Sequence, residues 1–172
     1  MTKQTAESGA SSWAQGGIAA ALSNEDSPSQ HVQDTLIAGS GLCDEGITRF
    51  ITENAADAIH WLIEQGVIFT CDQTSETGYH LTQEGGHSTR RIIHSGDATG
   101  KAVQQALIQK IRSHPNITVL EHHIAIDLIT DDRLADYTKN QNKRCVGAYI
   151  LDKKKDKVLS FAAQNTVLAT GG

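Results

Sequence analysis

Three pairs of adjacent glycines stand at Gly16-Gly17, Gly85-Gly86 and Gly171-Gly172. Each is set among groups suited to a bulky ligand. The first follows Trp13 and Gln15. The second follows Glu84 and precedes His87, Ser88, Arg90 and Arg91. The third ends the segment "NTVLATGG". Backbone N–H groups at such turns bind phosphate or the polarised edge of a ring, and glycine admits an approach that a Cβ would block. One large cofactor touching all three is the simplest common cause. Three unrelated turns are the alternative, and the residues alone leave both open.

Other chemistries fit less well. The eight histidines invite a metal, with His80, His87 and His94 seven residues apart and His122 and His123 adjacent. Zinc sites draw tight ligand pairs with short spacers, and these spacings do not match. The expectation is loop histidines making ordinary hydrogen bonds, with no metal. Serine, histidine and aspartate are all present, but no Gly-x-Ser-x-Gly elbow supports a hydrolase.

The elements that must position these residues follow from local signals. Ser27-Pro28 reads as an N-cap with proline in the first turn, starting a helix to about Gly39 with Val32, Leu36 and Ile37 inward. Asp44 caps a second helix carrying Ile47, Phe50 and Ile51. Residues 53–65 form a third, with Ala55, Ile59, Leu62 and Ile63 on one face and Gly66 as its stop. "VIFT" (67–70) reads as a short strand, 71–90 as loop, and "RRIIHS" as strand. Asp97 or Thr99 opens a helix through Ile111, with Ala102, Val103, Ala106, Leu107 and Ile111 inward and His114-Pro115 ending it. Residues 117–130 are β-rich. "CVGAYIL" and "VLSFAA" flank "DKKKDK" as a hairpin, and "NTVLATGG" reads as a buried-type strand entering a glycine turn.

Composition limits the function. The chain has 172 residues, one domain's worth, and a net charge of −5, which does not favour nucleic acid. The run Lys153-Lys154-Lys155 reads as a solvated turn. Cys43, Cys71 and Cys145 are odd in number and far apart, which points to a reducing, cytoplasmic setting. No apolar run approaches the ~18 residues of a membrane helix. A terminal strand running into glycines, and no strand before "SSWAQGG", lead us to expect the middle of a longer protein.

The segments "SSWAQGGIAAAL", "HVQDTLIAGSGLCDE", "WLIEQGVIF", "YHLTQEGGHSTRRIIHSGDATG", "HPNITVLEHHIAIDLI" and "VLATGG" together resemble the L-aspartate oxidases, a branch of the succinate dehydrogenase and fumarate reductase flavoprotein family. The resemblance runs from about Lys3 to Gly172. "AQGG" marks the wider family, and "QEGGHSTRRIIHSGDATG" the branch. It implies an α/β chain, here an α+β piece of a Rossmann-type FAD domain with a helical excursion (about 27–66), a substrate-proximal loop (about 71–97) and a β-rich part with an antiparallel hairpin (117–172). The N-terminal Gly-x-Gly-x-x-Gly unit of the family is missing.

The resemblance also implies a site. Ala10, Ser11, Ser12, Trp13, Ala14, Gln15, Gly16 and Gly17 match the loop along the flavin and diphosphate of FAD. Lys3 matches a contact near a strand end, Ile124 and Ala125 the adenine side, and Ala169, Thr170 and Gly171 the strand end returning to the cofactor. Glu84 matches the acid that orients the substrate. No catalytic residue is expected in this chain, because the family's acid–base arginine lies downstream. Ala10 replaces the histidine that carries covalent FAD in succinate dehydrogenases, so the expected flavin is non-covalent. The implied reaction oxidises L-aspartate to iminoaspartate, with oxygen or fumarate as acceptor and a handover to quinolinate synthase in NAD biosynthesis. Two alternatives remain open: a succinate dehydrogenase or fumarate reductase subunit, against which Ala10 and Glu84 speak, and a non-catalytic module.

Overall fold

A computed structural model describes residues 1–133 and 143–170 of the chain. It divides into two compact units, Glu7–Ile117 and Met1–Ala6 with Thr118–Gly172.

In the first unit, four helices surround a small antiparallel sheet. Helix α1 (Pro28–Gly39) begins where Ser27 Oγ accepts from Gln30 N. Helix α2 (Glu45–Glu53) begins where Asp44 accepts from Ile47 N. Each cap satisfies an N–H that the helix itself leaves unpaired. Helix α3 (Ala55–Glu64) ends in a turn at Gly66, whose φ of +96° suits glycine. Helix α4 spans Thr99–Ser113 and stops at His114. Strands β1 (Ile18–Ala19), β2 (Leu81–Thr82) and β3 (Ile92–Ile93) pair antiparallel, with β3 in the centre. The core gathers Ala20, Ile59, Val67, Phe69 and Ile93, with Leu62, Ile63 and Val103 against it.

Several expectations change here. Ile37 faces solvent rather than the interior, and Ile47, Phe50 and Ile51, whose facing the sequence left open, are exposed as well. Helix α2 buries Thr48 and Thr52 instead. Their hydroxyls donate to Asp44 O and Arg49 O, which removes the cost of burying them. The apolar spacing of α2 therefore marks its outer face. On α4 the buried apolar residue is Ile108, which the sequence reading passed over, while Val103 and Ala106 reach the core as expected. Residues 67–70 alternate inward and outward but form no named strand; Thr70 N donates to His94 O, and one bridge joins Cys71 to Tyr79.

The second unit is a three-stranded antiparallel meander, β4 (His123–Thr130), β5 (Cys145–Asp152) and β6 (Lys157–Ala162). The expected hairpin is β5–β6. Asp152 Oδ1 closes its turn by accepting from Lys154 N and Lys155 N. Residues 164–170 form no strand, and Val167 and Leu168 are exposed, against the expectation of a buried-type strand. β propensity does not make a strand without a ladder partner, and the described residues offer this segment none. All named strand pairs are antiparallel, so the described residues are α+β and contain no parallel pair.

Candidate functional site

In the first unit, the segment 10–17 is shaped by α4. Residues Ala10–Trp13 form one 3-10 turn. Gly100, in the first turn of α4, donates its N–H to Ala14 O at 3.0 Å. A Cβ on Gly100 would collide with Ser11 O, so glycine there lets the helix and the turn touch backbone to backbone. Ser12 Oγ donates to Gly9 O at 2.7 Å. Trp13 projects outward, 81% exposed.

The two glycines of the first pair do different work. A Cβ on Gly17 would run into the Ile93 carbonyl oxygen and the Ile92 side chain, so Gly17 is required by the approach of β1 to β3. Gly16 is open. The nearest atom to its virtual Cβ is Glu84 Oε1, at 3.8 Å. The close approach that the sequence assigned to a ligand thus belongs, at Gly17, to the protein's own sheet.

Glu84 sits at the tip of the β2–β3 hairpin. Glu84 O accepts from His87 N at 3.2 Å, and Gly86 has a φ of +87°. That is a tight turn with glycine where a left-handed residue is needed. Gln83 Nε2 donates to His87 O at 2.7 Å. A cavity of about 500 Å³ opens between the tip and the glycines, lined by Gln15, Gly16, Gly17, Thr82, Glu84, His94, Gly96 and Asp97. Sequence segments 15–17, 82–84 and 94–97 therefore converge on one space. Its lining carries two carboxylates and a histidine, and no lysine or arginine.

Glu84 has no side-chain partner among the described residues. The arginines that compete for it are engaged elsewhere. Arg90 donates to Leu81 O. Arg91 is completely buried and forks onto Asp26, with Nε to Oδ2 and Nη2 to Oδ1 both at 2.8 Å. Its Nη1 donates to Asp34 Oδ2 at 2.7 Å and its Nη2 also to Thr89 Oγ1 at 2.8 Å. Burial pushes the Asp34 pKa up, but the Ser88 N–H and hydroxyl and the Arg91 guanidinium outweigh it and hold Asp34 below the usual carboxylate range.

His94 is oriented by two bonds. Its Nδ1 lies 3.2 Å from Gly96 O, a pure acceptor, so Nδ1 carries the proton. Nε2 then accepts from His80 Nδ1 at 2.8 Å. The histidines spaced by seven are thus hydrogen-bonding groups: His80 and His94 pair with each other, and His87 Nδ1 lies 3.3 Å from Arg91 Nη1. The Asp26–Asp34–Arg91 cluster went unseen in the sequence. Its members lie 65 and 57 residues apart, and only the "RR" pair hinted at a buried cation.

The donor set of segment 10–17 suits a large polar cofactor. Among the described residues, the Gln15 and Gly16 N–H groups and the Ser11 hydroxyl have no partner, and Ser11, Ala14, Gln15 and Gly16 are exposed.

In the second unit, Thr2 N donates to Leu120 O, His123 N to Thr2 O and His122 N to Gln4 O. These bonds run the chain start alongside residues 120–123, at the start of β4, with Lys3 between the two residues that accept from His123 and His122. Ala125 borders a register shift between Ala125 and Asp127. Lys3, Ala125, Ala169 and Thr170 are exposed and Ile124 is half-buried. Gly171 lies outside the described residues.

The chain matches known proteins along its whole length. The family model described as "FAD binding domain" matches residues 1–172. L-aspartate oxidase 1 of Ralstonia nicotianae is 57% identical over 172 residues, covering 100% of this chain and 32% of that protein. L-aspartate oxidase of Pseudomonas aeruginosa is 48% identical over 177 residues, with the same coverage of each. The chain thus spans about a third of the length of these curated relatives. Among solved structures, a quinol fumarate reductase from E. coli superposes with a TM-score of 0.84 at 22% identity, over 99% of this chain and 27% of that one. The Sdh1 complex of Mycobacterium smegmatis in the apo form gives 0.83 at 26% identity, over 99% of this chain and 29% of that one.

Proposed function

The chain belongs to the FAD binding domain family, and on that premise we propose that it forms part of an FAD-dependent L-aspartate oxidase, in which Glu84 orients the substrate. The whole enzyme oxidises L-aspartate to iminoaspartate, passes electrons to oxygen or fumarate, and works in the cytoplasm ahead of quinolinate synthase in NAD biosynthesis. The 48–57% identities to proteins of that name support this reading.

FAD, when bound, supplies the electron-pair acceptor for the oxidation. The exposed segment Ala10–Gly17 would hold it, through the unpartnered Gln15 and Gly16 N–H groups and the Ser11 hydroxyl. Lys3, Ile124, Ala125, Ala169, Thr170 and Gly171 complete the proposed cofactor contacts. Ala10 offers no nucleophile, so the cofactor is held without a covalent bond.

The observation that carries the substrate assignment is the Glu84 carboxylate, unpaired and set over Gly16 in the cavity. Aspartate differs from succinate by one ammonium group. A carboxylate at a cavity wall gives that group a charge-assisted hydrogen bond and gives succinate nothing. The cavity lining itself supplies no lysine or arginine to the two substrate carboxylates. The two carboxylates of the lining favour a substrate that carries an ammonium group over a plain dicarboxylate.

The test is Glu84→Gln in the full-length enzyme, with aspartate oxidation and fumarate reduction measured side by side. Aspartate kcat/KM falls steeply while fumarate reduction stays within a few-fold. Equal losses in both would make Glu84 a structural residue and sink the assignment.

A further inference from the structure

We propose that Asp34, on α1, is a positioning residue for Glu84: its carboxylate fastens the hairpin that carries Glu84 and so sets where that carboxylate stands over Gly16. The proposal rests on the substrate role given to Glu84 above.

One oxygen does the fastening. Asp34 Oδ2 accepts from Ser88 N at 2.8 Å, from Ser88 Oγ at 2.8 Å and from Arg91 Nη1 at 2.7 Å. Ser88 Oγ in turn accepts from Gln30 Nε2 at 2.8 Å, so a second residue of α1 holds the same serine. The hairpin is tied at its base as well, where Arg91 N donates to Thr82 O. Between Thr82 and Ser88 lie residues 83–87, joined to one another by His87 N on Glu84 O and by Gln83 Nε2 on His87 O.

The turn needs such a tie. Gly85 has nothing within 4 Å of its virtual Cβ, and Gly86 has only the Ala38 side chain, at 3.5 Å. Two glycines give the backbone more conformations than any other pair, and local packing does not select among them. The Glu84 side chain has no partner of its own to fix it. Its place is set by the chain on either side: Thr82 in β2 before it, and Ser88 on Asp34 after it. Asp34 is held ionised by the same three donors, with burial opposing them, so all its bonds are charge-assisted.

Asparagine at position 34 keeps the shape and removes the charge. Its neutral oxygen can stand in the place of Oδ2 but holds Ser88 and Arg91 Nη1 without the negative charge, and so more weakly. Arg91 retains both bonds to Asp26, so the buried cation stays paired and the core survives.

The experiment compares Asp34→Asn, Glu84→Gln and the double variant in the full-length enzyme. A misplacement of about an ångström costs up to ~100-fold in rate. We expect Asp34→Asn to lower kcat/KM for aspartate by ~10- to 100-fold, with fumarate reduction nearly unchanged. In the Glu84→Gln background the same change adds nothing, because the group it positions is gone. Losses that multiply in the double variant, or equal losses in both reactions, overturn the positioning role. Should Asp34→Asn fail to fold, Ser88→Ala decides: it removes one of the three bonds to Asp34 together with the Gln30 tie, leaving the Ser88 N–H on Asp34, and gives a smaller loss with the same non-additivity, or it refutes the proposal. Glu84→Gln without effect overturns the substrate role and the positioning role together. An effect of Glu84→Gln that multiplies with Asp34→Asn overturns the positioning role alone.

Discussion

Glu84 Oε1 lies 3.8 Å from the point where a side chain on Gly16 would begin, while the same point on Gly17 is filled by Ile93 and Ile92 of β3. Two adjacent glycines are therefore separable by mutation. Gly16→Ala makes an ordinary contact with Glu84 and leaves the fold intact. Gly17→Ala forces β1 off β3, and the obstacle is a backbone carbonyl that no rotamer change can move. Overpacking of this kind costs ~1–3 kcal/mol or more. Thermal unfolding of the two variants of the 172-residue chain checks this: Gly16→Ala stays near the parent Tm and Gly17→Ala falls well below it. Equal Tm values would mean that β1 does not need the bare backbone.

The contrast also shows what the sequence could and could not tell. Caps are local, and Ser27, Asp44 and Gly66 marked helix ends because one side chain or one φ value decides each. The β5–β6 hairpin was legible for the same reason, from a charged turn between two apolar runs. Facing was not local. The spacing of Ile47, Phe50 and Ile51 identified a helix but not which side of it would be buried, since that depends on how α1 packs against α2. The segment 165–170 has strand composition without a strand partner among the described residues. Among site residues, the family resemblance singled out Glu84 and Gly16, and the structure joins them in one cavity. Asp26, Asp34 and Arg91 come from distant parts of the chain, and only folding shows that two acids and one arginine share a buried site.

Ala10 gives the second prediction. An alanine methyl group cannot form a bond to a flavin. Flavin bound to the full-length enzyme is therefore released by acid or heat, and the precipitated protein is colourless. Peptide mass spectrometry checks it, with no flavin adduct expected on any peptide covering residues 4–41. A single such adduct would show that another side chain of this segment takes the role.

The third prediction concerns His31, whose Nδ1 is buried with no hydrogen-bond partner among the described residues. Its ring centre lies 5.6 Å from that of His87. Burial lowers its pKa from the ordinary 6.5, Arg91 and His87 lower it further, and Asp26 and Asp34 oppose the shift. A histidine with a lowered folded-state pKa is neutral in the fold and protonates first in the unfolded chain. The unfolded state then binds more protons, so stability falls as pH drops below the unfolded value of 6.5 and levels off once the folded value is passed. His31→Leu removes this titration and leaves no orphan nitrogen. Measured as Tm between pH 7.5 and 5.0 (a range chosen to bracket roughly the unperturbed histidine value), the parent chain loses stability on acidification more steeply than the variant. The difference between them shifts in favour of the variant as pH falls. Parallel curves would mean that His31 finds a partner or stays accessible to protons in the fold, and the neutral, buried state assigned to it would be wrong.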